Sequence, residues 1–232
     1  MNQLGRGNTA EVFAYGEDKI CKLFYEGFPE QAIEMEYKNA VEMNRLGILV
    51  PKCYEMIQID HRRGIIYERI DGKEMLSMLF EDGDLEACLV KFVSLQKELL
   101  RYHSNRILSY QDFLRRLVDK KDQDLLKKID VLPEGDHVCH GDYHPGNVLV
   151  RGDGTSVVID FMNVCRGPWQ YDVARTFFLI SEGKSSKDTC ESEKIKKVKR
   201  EFGIHYLKTI GVLYKEIEPW VNVIEQCRKY EI

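Results

Sequence analysis

The sequence predicts an α+β fold in two lobes, an N-terminal antiparallel sheet carrying one helix and a mainly helical remainder. Three observations predict it. Short alternating or apolar runs separated by turn residues fill the first seventy residues, with one segment of helical spacing among them. After Asp71-Gly72 the apolar residues recur at three- and four-residue steps. A β-rich island, Val138–Ile159, interrupts these helical segments.

Each element follows from its residues. Leu4-Gly5-Arg6-Gly7-Asn8-Thr9-Ala10-Glu11-Val12 reads as a Gly-rich turn between two strands, where missing Cβ atoms let backbone N–H groups approach a phosphate. Glu11–Tyr15 and Ile20–Phe24 form a hairpin across Gly16-Glu17-Asp18. From Pro29 to Leu46, Ile33, Tyr37, Ala40 and Val41 keep helical spacing, with Pro29 near the start and Gly47 past the end. Cys53–Ile59 and Gly64–Ile70 are two further strands around the turn Asp60-His61-Arg62-Arg63. Leu85–His103, Tyr110–Ile129, Pro168–Ile180 and Glu191–Lys229 are expected as helices, and Gly183–Asp188 as the least ordered connector. The lobes divide near Ile70–Gly72, into residues 1–70 and 71–232.

Composition narrows the function classes. The 232 residues allow a sizeable core, and 44% hydrophobic with 31% charged residues is a globular balance. A net charge of −4 offers no electrostatic footprint for nucleic acid or an anionic membrane surface. No run approaches the roughly 18–20 apolar residues of a membrane span. Met1 leads into polar residues rather than a signal peptide. Seven cysteines, an odd number without regular spacing, point to a reducing, cytoplasmic setting rather than a disulfide framework. His137, Cys139, His140 and His144 fall close together, but structural zinc needs a second ligand pair and no Cys/His pair follows.

The chemistry concentrates in His140-Gly141-Asp142-Tyr143-His144-Pro145-Gly146-Asn147-Val148-Leu149-Val150, followed by Val157-Val158-Ile159-Asp160-Phe161. Phosphoryl transfer to an alcohol needs a carboxylate to orient and deprotonate the nucleophile, and metal-held phosphates. Pro145 and Gly146 cannot continue a helix, so Asp142 is presented from a loop. Asn147 precedes one apolar strand and Asp160 ends another, with a hairpin through Gly152-Asp153-Gly154 between them. A carboxylate and an amide oxygen brought together this way suit Mg²⁺. Asp142 or Asn147 alone would read as a turn former; the spacing Asp-x₄-Asn, an apolar strand and Ile-Asp-Phe is far more specific. Lys22, between Cys21 and Leu23 in an apolar strand, reaches a phosphate or points to solvent, and the exposed strand is expected to tolerate Lys22→Ala. A lysine in the phosphate role is held by a helix glutamate. Glu34 and Glu36 compete, facing roughly 200° apart on the helix, with Glu36 beside Ala40 on the apolar stripe.

These segments resemble the catalytic and metal-binding loops of the aminoglycoside phosphotransferase and choline kinase family, a branch of the protein-kinase-like superfamily, in the manner of a small bacterial-type member. The resemblance spans residues 4–180 and implies a bilobal protein-kinase-like fold. It implies that Asp142 is the catalytic base, that Asn147 and Asp160 hold Mg²⁺, and that His140, His144 and Asp172 support the loop. It implies that Gly5, Gly7 and Lys22 meet the phosphates of ATP or GTP, and it picks Glu36 as the lysine's partner. Val12, Leu149 and Ile159 would sandwich the base, and the backbone of Glu68–Ile70 would hydrogen-bond it. Two departures are visible: Ala10 stands where a third glycine is usual, and His144 where protein kinases carry a lysine. The second favours the small-molecule branch. Asp172 belongs to Gly167-Pro168-Trp169-Gln170-Tyr171-Asp172, and Arg175 one turn on is expected to pair with it; a plain helix cap at Asp172 is the alternative.

The expected activity is therefore a kinase for a small-molecule hydroxyl acceptor of the amino alcohol or sugar type. An aminoglycoside-resistance kinase is the nearest rival, and Lys184–Arg200, with seven basic and three acidic residues, gives a polycationic substrate no help. A nucleotide-binding regulatory module is the rival from another class. Intact Lys22, Asp142, Asn147 and Asp160 argue against it. Oligomeric state leaves no mark in the sequence.

Overall fold

β1 (Gln3–Arg6), β2 (Ala10–Ala14) and β3 (Lys19–Phe24) run antiparallel in sequence, and their ladder sets Val12 opposite Lys22. These are coordinates of a computed structural model, which describes residues 2–81, 85–181 and 193–231. α1 (Glu30–Arg45) follows, then β4 (Cys53–Ile59) and β5 (Arg62–Glu68), completing a five-stranded sheet in the order β1-β2-β3-β5-β4. β3 is central, with Lys22 paired to Val12 on one side and Ile65 on the other. The two-residue period of a strand sends Cys21 and Leu23 to one face, where they pack with Ile66, Phe13, Tyr54 and Ile57. Lys22 goes to the opposite face. α1 buries Ile33, Ala40 and Met43, and with them the polar Glu36 and Asn39.

The turn after β4 is tighter than the sequence implies. Asp60 takes a left-handed φ of 51°, which closes the hairpin in two residues. Arg62 and Arg63 consequently belong to β5, and the Arg62 guanidinium donates to the carbonyls of Leu23 and Phe24.

β6 (Gly72–Glu74) and α2 (Met75–Glu81) come next, then α3 (Leu85–Leu99), α4 (Tyr110–Leu117), α5 (Gln123–Asp130), β7 (His137–Cys139), β8 (Val148–Arg151), β9 (Ser156–Val158), β10 (Cys165–Gly167), α6 (Trp169–Ser181), α7 (Glu193–Ile210) and α8 (Tyr214–Cys227). Two expected long helices are each two helices. Tyr110–Ile129 breaks because Val118 turns extended and Asp122 caps a new start, its carboxylate accepting from Leu125 N. The segment from Glu191 breaks at Gly211, whose φ of 81° no helix accommodates. The connector expected over Gly183–Asp188 lies outside the described residues.

The chain forms two compact units. The first comprises Met1–Ser77 and Gly146–Asn163, joining the five-stranded sheet and α1 to a three-stranded sheet β6-β8-β9. The second comprises Met78–Pro145 and Val164–Ile232. In the second unit the β7–β10 ladder pairs Cys139 with Cys165, and an aromatic core gathers Phe92, Tyr143 and Tyr206. Among the described residues no helix is long and apolar enough to cross a membrane.

Candidate active site

In the first unit one ammonium group serves two carboxylates. Lys22 Nζ donates to both oxygens of Glu36, at 2.7 and 2.9 Å, and to Asp160 Oδ1 at 3.0 Å. Of the two candidate glutamates, Glu36 makes this contact, because it sits on the buried stripe of α1; Glu34 lies outside that stripe and pairs with Lys38. Glu36 is fully buried and also accepts from the Tyr67 hydroxyl at 3.1 Å. Burial opposes the charge on Lys22, but Asp160 and Glu36 outweigh it and its pKa ends raised. Burial pushes the Glu36 carboxyl up, with Lys22 pulling the other way and Asp160 adding to the rise.

The same α1 face fixes the segment that carries Asp160. Asn39 Nδ2 donates to Phe161 O at 2.9 Å, and the Tyr67 ring lies 6.1 Å from that of Phe161. Asp160 itself holds a left-handed φ of 69°, an uncommon state for a residue with a side chain that the surrounding bonds enforce. Ile159 N donates to Asn147 O at 3.0 Å, so the loop bearing Asn147 and the strand end bearing Asp160 are tied through the backbone.

Lys22 thus meets two carboxylates of the first unit, Glu36 and Asp160. Asp160 keeps 38% of its side chain exposed. Among the described residues no group of three or more His, Cys, Asp or Glu forms a metal cage. Carboxylate and amide oxygens fit Mg²⁺, which is usually held by one or two carboxylates together with substrate phosphates.

Val12, Leu149 and Ile159 are each half-buried in this unit. At the end of β5, Glu68 N donates to Lys52 O and Arg69 N to Asp18 O, whereas the N–H of Ile70 has no partner among the described residues. In the Gly-rich turn, Gly7 N donates to Ala10 O and the Tyr25 hydroxyl donates to Gly7 O. Ala10 at the third glycine position is accommodated because it opens β2 in ordinary strand geometry. Neither Gly5 nor Gly7 has a positive φ, and an added Cβ would come no closer than 3.9 and 3.6 Å to the protein. The fold does not require glycine at either position.

The second unit holds Asp142 between anchored neighbours. His140 is fully buried, and its Nδ1 accepts from Asp142 N at 3.3 Å. Gly141, at φ 73°, is gripped at both ends: its N–H donates to Asp172 Oδ1 and its carbonyl accepts from Arg175 Nε, both at 2.9 Å. Tyr143 stacks on Phe92 at 4.4 Å and donates its hydroxyl to Phe92 O. The Asp142 side chain stays 29% exposed, with His144 Nε2 3.8 Å from its Oδ2. Asp172 is the fourth residue of α6, not its cap, and is fully buried. Burial raises its pKa, against hydrogen bonds from Gln96 and Gly141. The expected Arg175–Asp172 pair does not form: Arg175 points instead to Glu231, near the end of the chain.

Several residues here carry little or no local signal in the sequence. Gln96 receives the Tyr206 hydroxyl and donates to Asp172 and Thr176, at a position where the helical stripe Leu89, Phe92, Val93, Leu99 calls for an apolar side chain. Asn39 interrupts the stripe of α1 in the same way. A polar residue on an apolar stripe is the one clue either offers. Tyr67 and Glu231 offer none.

A model of the phosphotransferase enzyme family matches residues 1–188 of the chain. Among solved structures, an aminoglycoside-3'-phosphotransferase of type VIII superposes with a TM-score of 0.66 at 17% identity, covering 96% of this chain and 91% of that one. An aminoglycoside phosphotransferase from Streptomyces rimosus, solved with ADP and streptomycin, superposes at 0.59 with 13% identity, covering 92% and 89%. A thermostable aminoglycoside phosphotransferase mutant in a ternary complex with ADP and hygromycin B gives 0.62 at 14% identity, covering 98% and 85%. At these identities the likeness is one of fold, and the fold is protein-kinase-like. No curated protein sequence matches the chain.

Proposed function

The chain belongs to the phosphotransferase enzyme family, and on that premise we propose that it transfers the γ-phosphoryl group of ATP to a hydroxyl of a small metabolite of the amino alcohol or sugar type. The observation that carries this reading is the Lys22–Glu36–Asp160 cluster, in which one ammonium group meets two carboxylates. The ADP in two solved proteins of the same fold supports ATP as the donor. Residues 1–70 are assigned to the nucleotide, joined by Asn147, Leu149, Ile159 and Asp160 of the same compact unit, and the rest of residues 71–232 to catalysis and the acceptor.

Lys22 orients the phosphates, and Glu36 keeps its ammonium group aimed and charged. Gly5 and Gly7 leave room for backbone N–H groups to approach the phosphate oxygens. Ile70 N–H is available to the base, with Glu68 beside it, and Val12, Leu149 and Ile159 supply apolar contact. Asn147 and Asp160 would hold Mg²⁺, which with the nucleotide supplies neutralisation of phosphate charge. Asp142 orients the acceptor hydroxyl and takes its proton as the new oxygen–phosphorus bond forms and ADP leaves. His140, His144 and Asp172 keep that carboxylate in place.

Two measurements test the nucleotide half. Titration calorimetry with ATP is expected to show much tighter binding in Mg²⁺ than in EDTA, and equal affinity in both would remove Asn147 and Asp160 as metal ligands. Gly7→Ala is expected to fold normally, with stability unchanged or raised by about 0.4–1 kcal/mol, yet to bind ATP more weakly. An unaltered dissociation constant would leave the Gly-rich turn without a role. A turnover screen over amino alcohols, sugars, nucleosides and aminoglycosides tests the acceptor half.

A further inference from the structure

Among the described residues Arg175 is the largest side chain buried beyond 98%, and it makes three hydrogen bonds. Nε donates to Gly141 O at 2.9 Å, while Nη1 and Nη2 donate to Oε1 and Oε2 of Glu231 at 2.7 and 2.8 Å. We infer that Glu231 is a positioning residue for the loop His140–Pro145: by clamping Arg175 it holds the Gly141 carbonyl, and through it the place from which Asp142 presents its carboxylate. The inference rests on the reading of Asp142 as the base.

Three features carry it. A two-toothed guanidinium–carboxylate pair fixes orientation as well as charge, so Glu231 determines where Nε points. Gly141 adopts a left-handed turn held only at its two peptide groups, and the carbonyl grip comes from Arg175 alone among the described residues. Glu231 is in turn held from its own side. Arg228 pairs with it, and Lys229 and Tyr230 donate to Asp122, the residue capping α5. The end of α8, the start of α5 and the Asp142 loop are thus one connected polar assembly within the second unit. Burial opposes charge on both partners, yet each offsets it for the other: Arg175 ends raised and Glu231 lowered.

The test is hydrogen exchange by mass spectrometry on the full chain, beside kinetics with ATP and the acceptor found in the screen. Glu231→Gln keeps the shape and removes the charge. Exchange over Gly141–Tyr143 is expected to quicken about tenfold, the scale of one lost hydrogen bond, while β1–β5 exchange as before. kcat is expected to fall about tenfold or more with the KM for ATP unchanged, since small misplacement of a reacting group is costly. Glu231→Asp is expected to recover part of both. Wild-type exchange in the loop of Glu231→Gln overturns the inference, as does an equal rise across the whole second unit, which marks a general structural tie. If Glu231→Gln does not fold, Glu231→Asp is judged by the same two criteria. The exchange result stands without turnover, so a wild type that phosphorylates nothing sinks the proposed function and leaves this test intact.

Discussion

Asp142→Asn is expected to lower turnover by a factor on the order of 10²–10⁴, the usual contribution of a positioned general base. The exchange of carboxylate for amide keeps the shape and hydrogen-bond reach and removes the basicity. The loop that carries it is expected to survive, because its anchors are elsewhere: the buried His140, the doubly held Gly141 and the stacked Tyr143. Affinity for ATP is expected to change little, since Asp142 is assigned to the acceptor. The loss belongs to kcat, as for an interaction made chiefly in the transition state. Single-turnover kinetics with the acceptor decide the matter. Should Asp142→Asn keep wild-type turnover while Asp160→Asn abolishes it, the base lies elsewhere.

Lys22→Ala is expected to cost both activity and stability. In sequence the strand looked exposed and tolerant; in the fold β3 is central, and the Lys22 side chain keeps only 13% of its surface. Its removal leaves Glu36 buried beside Asp160, with the Tyr67 hydroxyl as its remaining donor among these bonds. Breaking a buried pair from one side costs about 3–5 kcal/mol, and the lower figure applies because Asp160 is partly exposed and Glu36 can take up a proton. The sign with pH follows. In the variant Glu36 has lost its cation, so its folded-state pKa rises further above the ordinary value of 4.5. Stability is then retained below that value and lost as the pH climbs through the raised one, so the deficit against wild type widens from acid to neutral pH. Turnover at a temperature where the variant is folded should drop about 10²–10³-fold, as for loss of one preorganised charge-stabilising donor. Thermal melts across pH and steady-state rates check the two halves separately. Native melting temperature with unchanged rates would mean that Lys22 has no part in the chemistry.

Much of the molecule was legible from the chain alone, and for a definite reason. Strands, α1 and the Gly-rich turn announce themselves through short-range periodicity and turn chemistry, which depend on neighbours two to four residues away. Asp142, Asn147 and Asp160 stood out because one loop and one hairpin carry them within nineteen residues. Glu36 rather than Glu34 meets Lys22 because it lies on the buried stripe of α1, and such a stripe is written in the helix's own period.

What the sequence did not decide depends on contacts between distant segments. Lys22 meets Asp160 across 138 positions, Asn39 meets Phe161 across 122, and Arg175 meets Glu231 across 56. The breaks at Val118 and Gly211 escaped because apolar spacing continues through them, while a single extended or left-handed residue ends the helix. Periodicity determined the α+β class and the order of the N-terminal elements, and motif spacing picked out residues with chemical capacity. Tertiary structure alone decided which charges face one another. A buried ion pair forms only where packing excludes water and brings both groups within about 3 Å, a condition that no local pattern encodes.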